Sequence, residues 1–213
     1  MSSQRPPVCA LISGGLDSAV LLRRFLHAGV PVLPLYVCQG LRWETAELYW
    51  LRRLLSAMRV PHLKPLRVVD MPARSLYGRH WSLGHAPVPS SRSADSAVYL
   101  PGRNLLLISA AAIVCARERI ERIALGILQG NPFGDATPEF FHTLSQCLQL
   151  ALGQPIRILT PLRSLNKLDS VRAANKLPIG LTFSCLSPRG VHPCGRCNKC
   201  AERARALHAP RAS

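Results

Sequence analysis

Aromatic residues are scarce: Phe, Tyr and Trp together make up 6% of 213 residues. Few of them are interleaved with basic residues, so the chain offers little of the stacking surface on which single-strand binders rest bases. Acidic residues are scarcer still, 11 against 27 basic ones, and only 4 of the basic residues are Lys. A formal charge of +16 attracts polyanions, nucleic acid and nucleotides among them. A composition rich in Arg, Ala and Pro with a solvated basic face gives the same balance, and the basic residues are scattered rather than gathered in a tail. Charged residues reach only 18% of the chain, which disfavours long-range disorder. No window approaches the apolar length of a membrane span. The polar start, Met1 to Pro7, lacks the apolar core and small-residue cleavage site of a signal peptide, so a cytoplasmic protein without membrane attachment is expected. No internal repeat is visible.

Apolar residues make up 48% of the chain, enough for a sizeable core. Val8 to Ile12 is a continuous apolar run, as expected of a strand buried on both faces. A glycine turn and a helical pattern from Asp17 to Ala28 follow, then a strand over Val30 to Val37. Glu44 to Met58 places Leu48, Leu51, Leu54 and Leu55 opposite Arg52 and Arg53. Further strands are expected over Leu63 to Val69, Arg122 to Leu128 and Ile156 to Leu159. Helices are expected over Asn104 to Arg117, Pro138 to Leu152 and Leu165 to Asn175. Between them Met71 to Leu100, rich in Pro, Gly and Ser, reads as an excursion beside a site, in the manner of a lid. Alternating buried strands and helices predict an α/β domain with a parallel sheet, whose ligands bind at the carboxyl ends of the strands.

The first strand–helix junction reads Leu11-Ile12-Ser13-Gly14-Gly15-Leu16-Asp17-Ser18. Two glycines clear side chains from the path of an oxyanion, and successive N–H groups then face one concavity beside the positive end of a helix. Ser13 and Ser18 add hydroxyl donors. Asp17 repels a bare phosphate and becomes useful when a magnesium ion stands between them. No Lys follows the glycines, so this is not a Walker loop.

Four of the eight cysteines, Cys9, Cys38, Cys115 and Cys147, sit singly in apolar surroundings and read as small buried hydrophobes. The others, Cys185, Cys194, Cys197 and Cys200, cluster near the end of the chain. Four thiolates within reach of one point suit tetrahedral zinc. An iron–sulfur cluster also accepts four cysteines; zinc, closed to further ligands and therefore structural, is the expectation. His192 reads as a loop residue, and Lys199 and Arg196 as charges offsetting the thiolates.

The Ser13–Ser18 turn resembles the SGGxDS loop of the PP-loop ATP pyrophosphatases. Together with the terminal cysteines, and with Pro101-Gly102-Arg103-Asn104-Leu105, Thr160-Pro161-Leu162, Asn166-Lys167 and Thr182-Phe183-Ser184-Cys185, it is similar to the 7-cyano-7-deazaguanine synthase family over nearly the whole chain. The resemblance implies an ATP pyrophosphatase α/β domain over residues 1–180 and a zinc-binding segment over 181–213 packed on it. It implies a ligase that adenylates the carboxylate of 7-carboxy-7-deazaguanine, releases pyrophosphate, forms an amide with ammonia and dehydrates it to the nitrile with a second ATP. Residues Leu11 to Ser18 then hold ATP, with Ser13, Asp17 and Arg103 acting in the reaction and Mg2+ beside Asp17. Lys167 reads equally as a phosphate contact or a solvated helix residue. A homodimer is implied as well.

After the fourth strand the family carries a D-x-SGYPDCR stretch, where this chain has Gly130 to Phe141 with no Arg. Asp135 or Glu139 is the candidate partner for a guanine-like edge, Phe133 for stacking on the ring, and Asn104 for orienting a neighbouring loop; the segment also reads as a plain turn before a helix. The loop Gln39 to Glu44 keeps a Gln and an Arg in place of the family's YGQRH. The divergence leaves a second reading open: an enzyme that adenylates another carboxylate or modifies tRNA or another macromolecule, which the basic surface would suit.

Overall fold

A computed structural model describes residues 5–208. The four residues of β1, Val8–Leu11, are all buried, and β2, Val32–Cys38, is buried up to its last residue. Strands without a polar face belong between two layers. They lie in a parallel sheet of order β3-β2-β1-β4-β5, with β3 at Arg67–Asp70, β4 at Arg122–Ala124 and β5 at Arg157–Leu159. Leu11 is in register with Leu35, and Ala10 with Ala124. The chain steps outward from β1 through β2 to β3, then crosses back to β4. The order therefore reverses between β1 and β4, which opens a crevice at their carboxyl ends.

Seven α-helices are found among the described residues: α1 Leu16–His27, α2 Glu44–Ala57, α3 Arg74–Tyr77, α4 Arg103–Glu118, α5 Pro138–Leu152, α6 Lys167–Ala173 and α7 Asn198–His208. Alternate strand residues feed alternate layers. Cys9, Leu11, Leu35 and Ile123 pack with Ile108 and Ala111 of α4 and Phe141 and Leu144 of α5. Val8, Ala10, Tyr36 and Ala124 pack with Val20 and Leu21 of α1, Leu51 of α2 and Val171 of α6. Local chemistry sets the ends of several helices. Thr137 caps α5 by accepting from the Phe140 N–H at 3.1 Å, Pro138 occupies the first turn, and Gly153 closes the helix at φ 64°. Asn166 and Asp169 form a reciprocal capping box on α6.

A third apolar cluster joins Leu41, Trp43 and Ala46 to Leu83 and Leu100 and to Phe183, Cys185, Leu186, Cys197 and Cys200. The 71–100 excursion is thus packed against the cysteine segment. Trp81 stacks on Trp43 at 5.8 Å, the Ser91 N–H donates to the Arg196 carbonyl at 3.1 Å, and Asn198 Nδ2 donates to the Ser93 carbonyl at 2.8 Å.

Four expectations need correction. The third strand begins at Arg67 rather than Leu63, because Pro65 lacks the N–H a ladder needs, and it lies exposed at the sheet edge. The fourth strand ends at Ala124, and the next residues bend away over the crevice. The described residues end in α7, which was not expected from the sequence, since its buried side is made of Asn198, Cys200 and Ala206 rather than of large apolar residues. Cys147 is exposed on α5, unlike buried Cys9 and Cys115. No helix among the described residues is long and apolar enough to cross a membrane.

Candidate active site and cysteine centre

The crevice between β1 and β4 is a cleft of ≈ 340 Å³. Leu11, Ile12, Ser13, Gly15, Leu16, Asp17 and Ser18 line it, together with Arg103 and Lys167. Gly14 does not. It adopts φ +78°, and a side chain there would meet Cβ of Leu51 at 3.2 Å. The turn is held from within: the Ser13 N–H donates to Ser18 Oγ at 3.2 Å, and the Gly15 N–H to Ser13 Oγ at 3.4 Å. No side chain caps α1 at Gly15, so its first-turn N–H groups remain available to an anion. Gly126 faces this turn from the end of β4. A Cβ there would lie 3.2 Å from the Asp17 carbonyl oxygen, so only glycine lets the two backbones approach. In the sequence the one signal of Gly126 is a glycine inside the apolar run Ile123 to Leu128.

Asp17 does not stand free. Its carboxylate accepts from Lys167 Nζ at 2.8 Å and from Ser170 Oγ at 2.6 Å. Lys167 also lies 3.3 Å from Glu202, which pairs with Lys199 at 2.5 Å. Four alternating charges therefore run from the glycine turn to α7. Burial pulls the Lys167 ammonium down, but Asp17 and Glu202 outweigh it and the net shift is upward. Burial pushes Glu202 up, and Lys199 and Lys167 more than reverse this. Lys199 thus answers Glu202 as well as lying beside the cysteines.

The other end of the cleft was not legible in the sequence. Arg103 Nε donates to Gln39 Oε1 at 3.1 Å. The Glu44 carboxylate accepts the N–H groups of Gln39 at 2.6 Å and Gly40 at 2.9 Å. Glu47 accepts from the Tyr36 hydroxyl at 2.8 Å, and Tyr36, Trp43 and Glu47 all line the cleft. Burial pushes the Glu47 carboxyl up to about 7, against the pull of Arg103 and the Tyr36 hydrogen bond. Gln39 is fully buried, and its Nε2 finds no partner among the described residues. The signal available was carboxylates on an otherwise apolar helix face in a chain with only 11 acids. Arg42, from the same loop, is instead exposed and reaches Ser187 Oγ at 3.0 Å.

Phe133, Asp135, Glu139 and Asn104 do not line the cleft. Asp135 Oδ2 accepts the Asn104 N–H at 2.8 Å, and Asn104 Nδ2 donates to the Asp135 carbonyl at 3.0 Å. A carboxylate at the start of α4 offsets the unfavourable placement of Arg103 against the helix dipole. Phe133 stacks on Tyr99 at 4.8 Å, and Glu139 is exposed in the first turn of α5. The structure thus brings Asn104 and Asp135 together at the start of α4, outside the lining of this cleft.

The Sγ atoms of Cys185, Cys194, Cys197 and Cys200 lie within 4.8 Å of one another. The Cys194–Cys200 and Cys185–Cys197 pairs are each 4.0 Å apart. Sulfurs around a tetrahedral zinc stand roughly 3.8 Å apart for bonds of about 2.3 Å, so the set fits that ion closely. The N–H groups of Leu186 and Ser187 donate to Cys197 and Cys185 at 3.4 Å, as thiolates require. His192 is exposed and outside the set. Directly before the cysteines, the Phe183 N–H donates to the Gly14 carbonyl at 2.9 Å, and Ser184, Cys185 and Leu186 line the cleft.

Two outcomes follow from this geometry. Gly29→Ala, at φ +66° with open space around it, should lose only the left-handed backbone preference, about 1–2 kcal/mol. Gly14→Ala should lose clearly more in the same urea titration, because its Cβ also meets α2. Glu47 keeps its proton to about 7 when folded, against 4.5 ordinarily. The folded state then binds more protons across that window, and stability falls as pH rises through it. Urea midpoints on either side of the window should differ less in Glu47→Gln than in the parent.

The family described as "Queuosine biosynthesis protein QueC" matches residues 8–210. A 7-cyano-7-deazaguanine synthase of Leptospira interrogans is 31% identical over 91% of this chain and 83% of its own length. One of Anaeromyxobacter dehalogenans is 30% identical over 95% and 91%. Among solved structures, a predicted subunit of tRNA methyltransferase from Methanocaldococcus jannaschii superposes with a TM-score of 0.53 at 14% identity, over 80% of this chain and 75% of that one. A 4-thiouridine synthetase–RNA complex with bound ATP gives 0.53 at 16% identity, over 93% of this chain and 49% of that one. These two likenesses are of fold alone. The extended match and the shared identity place this chain in the QueC family of queuosine biosynthesis proteins.

Proposed function

We propose that this chain is an ATP-dependent carbon–nitrogen ligase that converts 7-carboxy-7-deazaguanine and ammonia to 7-cyano-7-deazaguanine. The observation that carries the reading is one cleft with an uncapped glycine turn and Lys167 at one end and Arg103 at the other. The chemistry needs such a division, because a phosphate chain and a carboxylate must meet while water is kept from the acyl-adenylate.

The N–H groups of the turn, with Ser13 and Ser18, hold the β- and γ-phosphates. Lys167 leaves its carboxylate partners enough to share a phosphate oxygen. Arg103 pairs with the substrate carboxylate. A carboxylate oxygen attacks the α-phosphorus, the bond to the β-phosphate oxygen breaks, and pyrophosphate departs. Ammonia adds to the acyl carbon, and AMP leaves with the former carboxylate oxygen, giving the amide and a proton. A second ATP activates the amide oxygen in the same way, and loss of AMP and protons leaves the nitrile.

Asp17 suits a magnesium ion at the phosphates. Its oxygens each accept one hydrogen bond from the protein, leaving lone pairs free, and magnesium takes most of its ligands from phosphate and water. The ion supplies charge neutralisation to the departing pyrophosphate. The four cysteines hold zinc as a structural ion. On this reading residues 1–180 are the ATP pyrophosphatase domain and 181–213 the zinc-binding segment, of which 209–213 lie outside the described residues. The substrates are a small carboxylate and ammonia, the assembly a homodimer, and the compartment the cytoplasm.

Zinc-loaded protein given 7-carboxy-7-deazaguanine, ATP, magnesium and ammonium should yield the nitrile by mass spectrometry, with two AMP per nitrile. Amide alone, or no product from protein that binds ATP, would overturn the assignment. Lys167→Met should weaken ATP binding by about tenfold or more, the loss of one charge-assisted hydrogen bond. Stripping the metal should release one zinc per chain and raise amide exchange across Phe183 to His208, while β1 and β2 stay protected.

A further inference from the structure

A deazaguanine ring presents two adjacent donors, N1–H and the 2-amino group, and a carboxylate is their natural acceptor. The residues the sequence offered for that task, Asp135 and Glu139, do not line the cleft. Three carboxylates do: Asp17, Glu47 and Glu202. Asp17 is bonded to Lys167 and Ser170, and each Glu202 oxygen lies within 3.3 Å of a lysine. Both stand at the phosphate end and are committed to holding cations there. Glu47 differs. Its Oε2 accepts from a neutral donor, the Tyr36 hydroxyl, and its Oε1 accepts no hydrogen bond among the described residues. Its neighbour Glu44 is used up by two backbone N–H groups and does not line the cleft.

We propose that Glu47 is the specificity-determining residue that reads the N1–H and 2-amino edge of the deazaguanine; the proposal rests on the function assigned above. Trp43, which directly precedes α2 and stands four residues before Glu47, also lines the cleft, so the start of α2 offers an acceptor and a flat apolar wall together. Arg103 lines the cleft as well and is fixed by Gln39 at 3.1 Å. The arrangement then holds the ring at its amidine edge and at its carboxylate at once. A site built to accept from a polar edge rejects the analogue that lacks it, because the buried acceptor is left unpaired.

The test compares 7-carboxy-7-deazaguanine with 7-carboxy-7-deazahypoxanthine, which lacks the 2-amino group. The parent should prefer the first by more than about tenfold in kcat/KM. Glu47→Gln keeps the side-chain length and an acceptor for Tyr36. It should raise KM for the guanine form by about tenfold or more, change kcat little, and shrink the preference toward unity, with ATP affinity close to the parent's and a fold at least as stable. Glu47→Asp should restore part of the preference. An unchanged preference in Glu47→Gln, or an equal KM rise for both compounds, would overturn the proposal. If the parent makes no product, the function assigned above fails by itself. Equilibrium binding of 7-deazaguanine against 7-deazahypoxanthine then decides: equal affinities in the parent refute the role of Glu47, and a preference lost in Glu47→Gln sustains it.

Discussion

The Phe183 N–H donates to the Gly14 carbonyl at 2.9 Å, and the rest of the site depends on that contact. Gly14 lies in the turn between the first strand and the first helix, with no side chain between it and Leu51. Its carbonyl lies in a crowded place against α2, where a backbone acceptor needs a partner. By donating to it, the far end of the chain is fixed at the start of the first helix. From Phe183 the chain continues into Ser184, Cys185 and Leu186, which wall the cleft, and then into the remaining cysteines and α7. A cysteine segment that could have been a remote staple is therefore part of the wall. The 71–100 excursion is fastened to it in turn through Ser90, Ser91 and Ser93.

The distribution of acidic residues follows the same logic. The chain has 11, and Asp17, Glu44, Glu47, Asp135 and Glu202 are all spent at the cleft or directly behind it. Each sits against a basic group or a helix start that needs it. Asp17 and Glu202 bracket Lys167, Glu44 and Glu47 oppose Arg103, and Asp135 covers the first turn of α4 beneath Arg103. These five anions stand where the cations of the cleft are held, while others, Asp70, Glu118, Glu121 and Glu139, stay exposed. The net charge is then mostly a property of the outer surface, and the cleft itself is nearly balanced.

Much of the fold was legible because it is written in local patterns. A doubly buried strand gives an unbroken apolar run, and Val8 to Leu11 shows one. Thr137-Pro138 marks a helix start without reference to anything distant. The glycine turn and the cysteine spacing are likewise local. Legibility failed where a role is decided by what the fold brings alongside. Asp135 is a carboxylate in the expected stretch of sequence, yet an N–H group of α4, 31 residues earlier, claims it. Helix α7 has too little large apolar side chain to show a period, because small residues and thiols suffice for its buried side. The third strand looked longer because hydropathy does not register the missing N–H of Pro65.

Glu47 shows the same limit from the other side. In the sequence it is one of two acids in a helical stretch, set apart only by sharing a face with Leu51, Leu54 and Leu55. In the fold it is nearly inaccessible, at 9% exposure, in a cleft that contains a tryptophan, a tyrosine and an arginine. Burying a carboxyl with only a hydroxyl for a partner is unfavourable, and its upward shift to about 7 records that cost. An apolar residue of similar volume would pack there with greater stability. Glu47 lines the cleft, so the oxygen that Tyr36 does not engage can take a donor from the contents of the cleft. A planar ligand edge with two adjacent donors satisfies that oxygen, whereas phosphate, an acceptor like the carboxylate itself, does not.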